Sequence, residues 1–227
     1  MEDGKIMNKL NILYEDNHLI VVEKEPNILS QGDITRDKDL FTMVKKYIKE
    51  KYNKPGNVYL GLLHRLDRPV GGIMVFAKTS KSSKRMTEQI KSHKVEKKYL
   101  AVVNGIIKND NDKLVDYLKK QANGNTVVTT KDDGKYAELD YKVLERNKKE
   151  NKTLVEINLK TGRHHQIRVQ FASRGYPLCG DQRYGTEDKT QIALFAYKLK
   201  FIHPVTKETM EFKLIPKNNH YWTKFTM

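Results

Sequence analysis

Residues 58–77 read VYLGLLHRLDRPVGGIMVFA, in which a charged segment separates two apolar runs. We predict strands over 58–63 and 72–77, because both runs are short, apolar and bounded by turn residues. The charged loop HRLDR, residues 64–68, would then be fixed between two strands, which is a common place for functional side chains. A charged turn without any function gives the same pattern. The spacing alone therefore leaves both interpretations open.

Patterns outside this segment predict an α+β fold, because strand patterns outnumber helix patterns and do not alternate regularly with them. Leu40, Val44, Tyr47 and Ile48 recur at helical spacing after a capping residue, Asp39. The predicted elements are a hairpin over 11–24, helices over 39–52, 80–93 and 165–173, and strands over 98–103, 136–144, 153–159, 195–201 and 210–214. Residues 106–135 alternate short predicted strands with Gly, Asn and Asp and are expected to form a variable surface excursion. We expect a flexible segment over 1–9 and one domain over 10–227.

The composition indicates a polyanionic partner. The 227 residues include 43 Lys and Arg against 28 Asp and Glu, a formal charge of +15. Nucleic acid is the first candidate for such a charge, and an anionic membrane surface is the second. No run of about 20 apolar residues and no signal peptide occurs in the sequence, so a cytoplasmic protein is expected. We also expect a monomer, because no long apolar surface stripe is left over.

Metal and disulfide chemistry are disfavoured by the sequence. One cysteine, Cys179, excludes an internal disulfide and a cysteine-based zinc site, and the seven histidines are scattered. The chain also contains no Walker loop, no GxGxxG and no Ser or Cys nucleophile signature. Any chemistry must therefore come from a carboxylate, arginines and a tyrosine.

Two further segments carry candidate residues. In residues 159–168, LKTGRHHQIR, helical spacing turns Ile167 inward and places Arg168 at the edge of the buried stripe, where an arginine usually meets a carboxylate or a phosphate. An ordinary amphipathic helix fits the same pattern. In residues 97–105, KKYLAVVNG, Tyr99 is either a core aromatic or a stacking surface for a base.

These motifs together resemble the RluA-type RNA pseudouridine synthases. HRLDRPVGG, KKYLAVVNG and LKTGRHHQIRVQFASRGYPLCGDQRYG occur in the order and spacing of that family, and the similarity runs from about residue 10 to the end. The resemblance implies an α+β fold with a mixed, mostly antiparallel β-sheet, peripheral helices and a central RNA-binding cleft. It also implies conversion of uridine in RNA to pseudouridine without metal or cofactor.

The resemblance carries roles to particular residues. Asp67, in HRLD, would be the catalytic carboxylate, and Arg168 would pair with it. Tyr99 would contact the uracil, and Arg65 would enter the RNA duplex or fill the gap left by the flipped base. The other residues to which we assign RNA contact are His64, Arg163, His165 and Gln166. Whether Asp67 attacks the sugar or removes a proton from carbon 2′ stays open.

Two departures from the family are visible. Val70-Gly71-Gly72 stands where the family commonly has Thr-Ser-Gly, which removes hydroxyls near the site without touching Asp67. The first family strand begins about ten residues into the chain, so we expect no N-terminal S4 domain. Ribosomal RNA and transfer RNA both remain open as substrates.

Two other functions compete with the enzyme. One is a non-catalytic RNA-binding or ribosome-assembly protein on the same fold, which would be free to lose Asp67, Tyr99 or Arg168; all three are present. The other is a basic peripheral membrane protein, for which helix 39–52 is the only candidate. We expect no membrane partner, because the apolar residues of that helix are needed for the core.

Overall fold

The computed structural model describes residues 10–185, 190–217 and 220–226. The predicted flexible segment 1–9 lies outside the described residues. Within the described part of the chain, no helix is long and apolar enough to cross a membrane.

The chain divides into two compact units. The first comprises Met1–Val95 and Leu199–Leu214, and the second comprises Glu96–Lys198 and Ile215–Met227. The single domain predicted over 10–227 stays a prediction.

The first unit combines antiparallel strands with two helices. Its elements are β1 (Ile12–Glu15), β2 (Leu19–Lys24), α1 (Leu40–Lys51), β3 (Gly61–Leu62), β4 (Gly71–Ala77) and α2 (Ser80–Lys91). The predicted hairpin is confirmed: β1 and β2 pair antiparallel, and Asp16 Oδ1 in the turn accepts the backbone N–H groups of His18 and Leu19. β4 pairs with β2 along its length, from Leu19 opposite Ala77 to Lys24 opposite Gly72.

Helix α1 forms as its sequence pattern predicts. Asp39 caps it by accepting the N–H of Thr42 at 2.9 Å, and the four apolar residues of the predicted face are buried. Helix α2 is capped by Thr79 and buries only Ser82 and Met86. This agrees with its thin apolar stripe, because the remaining residues of α2 are exposed or only partly buried.

The strand predicted over 58–63 is shorter in the structure. Only Gly61 and Leu62 pair, opposite Ala77 and Phe76 at the end of β4. Val58 and Leu60 are buried without belonging to a strand. An apolar run that packs inward does not pair unless a strand edge reaches it, and the sequence pattern reports only the burial.

The second unit contains a five-stranded antiparallel order, β5-β9-β8-β6-β7. The strands are β5 (Glu96–Asn104), β6 (Asn111–Lys120), β7 (Thr126–Thr129), β8 (Lys135–Asn147) and β9 (Lys152–Leu159), and the helix is α3 (Gln166–Ala172). Strand β10 (Leu194–Ile202) ends in the first unit, where β11 (Thr209–Lys213) pairs with it. The predicted pairing of residues 136–144 with 153–159 is confirmed by β8 and β9.

Residues 106–135 contain strands, as predicted, but β6 is ten residues long rather than short. β6 pairs with β8 over residues 111–118, and β7 pairs with β6. Asp116 lies between Leu114 and Leu118 on the inward face, where it accepts Gln170 Nε2 at 2.7 Å and Arg174 Nη1 at 2.8 Å. A charged residue at an inward position interrupts the apolar alternation, which is why the sequence pattern indicates shorter strands than β6.

Candidate active site

Asp67 lies in the first unit, on the loop between β3 and β4. Residues 63–67 have no regular secondary structure, and Asp67 itself is half-buried. Val70 N–H donates to the Asp67 carbonyl at 3.0 Å, which closes a turn directly after it. The loop is therefore held by its own turn and by side chains from other segments.

Lys24, at the end of β2, is one of those side chains. It is fully buried, and its Nζ donates to three backbone carbonyls: Ile28 at 2.6 Å, Arg68 at 3.0 Å and Glu25 at 3.2 Å. Burial lowers the pKa of Lys24 to about 7, and the charge of Asp67 acts in the opposite direction. Lys24 therefore ties the residue after Asp67 to β2 and lies within electrostatic reach of the carboxylate.

The two predicted RNA-contact residues of this loop have different surroundings. His64 Nε2 accepts the backbone N–H of Val75 in β4 at 3.2 Å. Arg65 is exposed, and its Nη2 donates to Gln31 Oε1 at 2.9 Å. Arg65 is therefore accessible to an RNA strand, whereas His64 contributes to the loop's attachment. Their assignment to RNA contact stays a prediction.

Tyr99 lies in the second unit, on β5, and is buried. Ile157 of β9 is directly opposite Tyr99, and Tyr141 of β8 is directly opposite Ile157. Paired residues project from the same face of a sheet, so Tyr99, Ile157 and Tyr141 form a row across three strands. Phe171 of α3 contacts Tyr141 with ring centroids 5.5 Å apart, so α3 packs on the face that carries Tyr99.

Arg168 is buried inside α3 rather than at the edge of an amphipathic stripe, because every residue from Gln166 to Phe171 is buried. Its guanidinium donates two hydrogen bonds to the Asp181 carboxylate, Nε to Oδ2 at 2.8 Å and Nη2 to Oδ1 at 2.6 Å. Burial opposes ionisation of Asp181, but the hydrogen bonds and charge of Arg168 outweigh it and hold the pKa of Asp181 below its usual value. Asp181 is therefore a carboxylate partner of this arginine, which the residue pattern left open between a carboxylate and a phosphate.

A tyrosine and two histidines surround this ion pair. Arg168 lies over the ring of Tyr184 at 5.3 Å, and the Tyr184 hydroxyl contacts His165 Nδ1 at 2.8 Å and accepts the Thr126 N–H at 2.7 Å. His164 stacks on His165 with centroids 3.7 Å apart. Burial and the nearby charge of Arg168 lower the pKa of His165 to about 3, so its imidazole is neutral at physiological pH.

Gln166 and Arg163 are attached to the turn that precedes α3. Gln166 is buried; its Oε1 accepts Thr161 Oγ1 at 2.8 Å and the Arg163 N–H at 3.0 Å, and its Nε2 donates to the Glu138 carbonyl. Arg163 is exposed, and its Nε donates to the Tyr136 carbonyl at 2.8 Å. The predicted RNA contacts of Gln166, Arg163 and His165 remain predictions.

The structure thus groups the predicted residues in two places. The first unit carries His64, Arg65 and Asp67 on one loop, and the second carries the remaining five on β5 and around α3. The predicted contact of Arg168 with Asp67 joins these groups and stays a prediction. Among the described residues, no three His, Cys, Asp or Glu side chains form a set that could hold a metal ion.

Sequence reasoning missed the structural roles of Asp181, Tyr184, Lys24 and Ser30. A signal existed for the first two, because both lie in GDQRYG, where Asp181 follows the helix arginine by 13 residues, and a buried arginine needs a buried carboxylate. For the contacts of Lys24 and Ser30 with the Asp67 loop no local signal existed, because the Arg68 carbonyl lies 44 residues after Lys24 and Leu66 lies 36 residues after Ser30.

Comparison with known proteins shows which family the chain resembles. The model of the RNA pseudouridylate synthase family matches residues 18–173. A protein named uncharacterized RNA pseudouridine synthase from Aquifex aeolicus is 32% identical over 90% of this chain and 69% of its own length. The ribosomal large subunit pseudouridine synthase C of Buchnera aphidicola is 35% identical over 88% of this chain and 65% of its own length. The chain thus spans about two thirds of these relatives.

A solved structure supports the fold independently. Human RNA Pseudouridylate Synthase Domain Containing 4 superposes with a TM-score of 0.78 at 20% identity, covering 97% of this chain and 93% of the human one. This likeness confirms the predicted α+β fold with a mostly antiparallel sheet. The family match, which includes Asp67, Tyr99 and Arg168, and the identity to these relatives show that the chain belongs to the RNA pseudouridylate synthases, a family of isomerases.

Proposed function

We propose that this chain isomerises specific uridines in structured RNA to pseudouridine, with Asp67 as the catalytic carboxylate. One observation carries the proposal: the family match over 18–173 contains the complete set of Asp67, Tyr99 and Arg168. A non-catalytic RNA-binding protein on the same fold would not need this set.

The reaction breaks the bond between N1 of uracil and carbon 1′, rotates the base and joins carbon 5 to carbon 1′, so the proton on carbon 5 is released and N1 gains one. A carboxylate suffices, either as nucleophile at carbon 1′ or as base at carbon 2′. Asp67 is suited to it, because its neighbours in the loop are held by buried groups of the first unit. In this proposal Arg168 orients the carboxylate, supported by its own rigid attachment to Asp181.

The uridine must leave the stack before this chemistry, which costs a few kcal/mol. We assign compensation of that cost to Arg65, which is exposed on the loop of Asp67, and to Tyr99, which contacts the uracil. The net charge of +15 supplies affinity for phosphates independent of sequence.

Ribosomal RNA is the first substrate to test, because the Buchnera relative is named for the ribosomal large subunit. Transfer RNA is the second. We place the protein in the cytoplasm as a monomer that needs no metal or organic cofactor; the single cysteine supports a reducing compartment.

Tritium release from RNA labelled at carbon 5 of uridine tests the proposal. Full-length protein should release tritium from ribosomal or transfer RNA lacking its pseudouridines, and Asp67→Asn should release none while still binding RNA. Asp132→Asn is the matched control, because it removes the same charge from an exposed residue of the second unit. Binding without release by the parent protein would favour the non-catalytic alternative, and turnover by Asp67→Asn would remove Asp67 from the mechanism.

A further inference from the structure

Ser30 forms an unusual pair of hydrogen bonds with the residue before Asp67. Its Oγ donates to the Leu66 carbonyl at 2.7 Å and accepts the Leu66 N–H at 3.0 Å. Both residues are buried, with Ser30 5% and Leu66 6% exposed. One hydroxyl thus satisfies both backbone groups of a residue that lies in no strand or helix.

Ser30 is itself fixed by helix α1. The carbonyls of Leu29 and Ser30 accept the N–H groups of Leu40 and Phe41, at 2.8 and 3.3 Å. First-turn N–H groups have no partner within their own helix, so this attachment uses donors that α1 leaves available. The hydroxyl of Ser30 is therefore anchored to a regular element.

We infer that Ser30 is a positioning residue for the reaction, acting on Asp67 through the backbone of Leu66. The inference rests on the proposed function of Asp67. On its other side Asp67 is restrained by the turn to Val70 and by Lys24 on the Arg68 carbonyl. Ser30 completes this restraint, so that the backbone before and after Asp67 is held and its carboxylate is presented in one place.

Restraint of this kind should act on the chemical step. A displacement of about 1 Å can cost on the order of a hundredfold in rate, even when its origin lies outside the reacting groups. RNA affinity is supplied by other contacts, so it should not depend on Ser30. The expected signature is a lower kcat with an unchanged KM.

Thr153 provides a matched control in the second unit. It is fully buried, and its Oγ1 also donates to one backbone carbonyl, Gly105 at 2.8 Å, and accepts one backbone N–H, Ile107 at 3.1 Å. Thr153→Val and Ser30→Ala each remove one buried hydroxyl with two backbone partners. Their effects on stability should therefore be similar, whereas their effects on catalysis should differ.

Kinetics and melting temperature should be measured for the full-length chain and these variants, at a temperature where all are folded. We expect Ser30→Ala to lower kcat about ten- to hundredfold with KM unchanged, and Thr153→Val to leave kcat near the parent value. Ser30→Thr keeps the hydroxyl and should recover most of the rate. Equal kcat values for Ser30→Ala and Thr153→Val would overturn the inference.

Amide hydrogen exchange separates this inference from the proposed function. The Leu66 N–H should exchange slowly in the parent and in Thr153→Val, and much faster in Ser30→Ala, whether or not a substrate RNA is found. Unchanged exchange at Leu66 in Ser30→Ala would refute the restraint even if the parent is an active synthase. A parent that forms no pseudouridine would refute the proposed function while exchange still tests the restraint.

Discussion

Arg168 and Asp181 form a two-point ion pair inside the second unit, with side chains only 5% and 0% exposed. The planar guanidinium matches the carboxylate at both oxygens, which a lysine cannot do. Asp181 Oδ1 also accepts the N–H groups of Arg183 and Tyr184, at 3.0 and 3.2 Å. The pair therefore joins α3 to the turn over 181–185 and fixes the direction of the Arg168 side chain.

Removing one partner of this pair should be costly. Arg168→Ala and Asp181→Ala each leave an uncompensated buried charge, and we expect each to lower the free energy of unfolding by about 3–5 kcal/mol. The double variant should lose less than the two single losses added together, because the residues are in contact. Urea denaturation of the four proteins measures this, and strictly additive losses would contradict the pair.

Pseudouridine formation should also depend on the ion pair of Arg168 and Asp181. Arg168→Ala should be almost as inactive as Asp67→Asn, and Arg168→Lys should be intermediate because it keeps the charge but loses the planar fork. Asp181→Asn keeps the size of the side chain and should also lower kcat, since Arg168 is then less firmly oriented. Tritium release under conditions where each variant is folded is the measurement; an active Arg168→Ala protein would contradict the proposed role of Arg168.

Tyr99 should contribute mainly through its ring. Tyr99→Phe should retain RNA affinity, whereas Tyr99→Leu should weaken binding by about 1–3 kcal/mol if the ring stacks on a base. Tyr141→Leu is the control, because Tyr141 lies in the same row on the sheet and is equally buried. Filter binding at fixed salt compares them. Equal affinities of the Phe and Leu variants would identify Tyr99 as an ordinary core aromatic.

Glu15 should make the protein more resistant to heat above pH 4.5 than below it. Burial alone would raise its pKa, but hydrogen bonds from Lys51, Lys78, Tyr52 and Tyr47 lower it to about 2. A carboxyl with a lowered folded-state pKa stabilises the fold fully above its unfolded value, and this contribution disappears as the pH falls toward 2.

The contribution at neutral pH is at most about 3 kcal/mol, and solvent screening at the partly exposed Lys51 reduces it. Glu15→Gln should therefore lower the melting temperature at pH 7 and much less near pH 3. Glu50→Gln, which loses only a partly exposed ion pair with Lys46, should change it little at either pH. If Glu15→Gln lowered the melting temperature equally at both pH values, ionisation of Glu15 would not be the cause of the stabilisation.

RNA binding should depend strongly on salt. With Z phosphates neutralised on a single strand, log K should fall with log salt at a slope of about −0.7Z, and the net charge of +15 favours several contacts. Titration between low and physiological salt measures the slope. A flat profile, or preferential binding to anionic vesicles over RNA, would favour the peripheral membrane alternative instead.

The sequence by itself determined the local elements and the family. Helix α1 was predicted with its cap and its buried face because both depend on neighbours within four residues in the chain. The β1–β2 hairpin follows the same logic, since its turn residue, Asp16, binds N–H groups two and three residues later. The motifs around Asp67, Tyr99 and Arg168 identify the family from the sequence because each motif is a contiguous run of residues.

Only the tertiary structure decided which distant groups meet. Nothing in the local pattern pairs Ser30 with Leu66, 36 residues later, or Lys24 with the Arg68 carbonyl, 44 residues later. The same holds for Asp116, whose inward position is stabilised by Gln170 and Arg174, 54 and 58 residues later. A buried polar group must find a partner, but its own sequence neighbourhood does not identify that partner, because folding brings the partner from elsewhere in the chain.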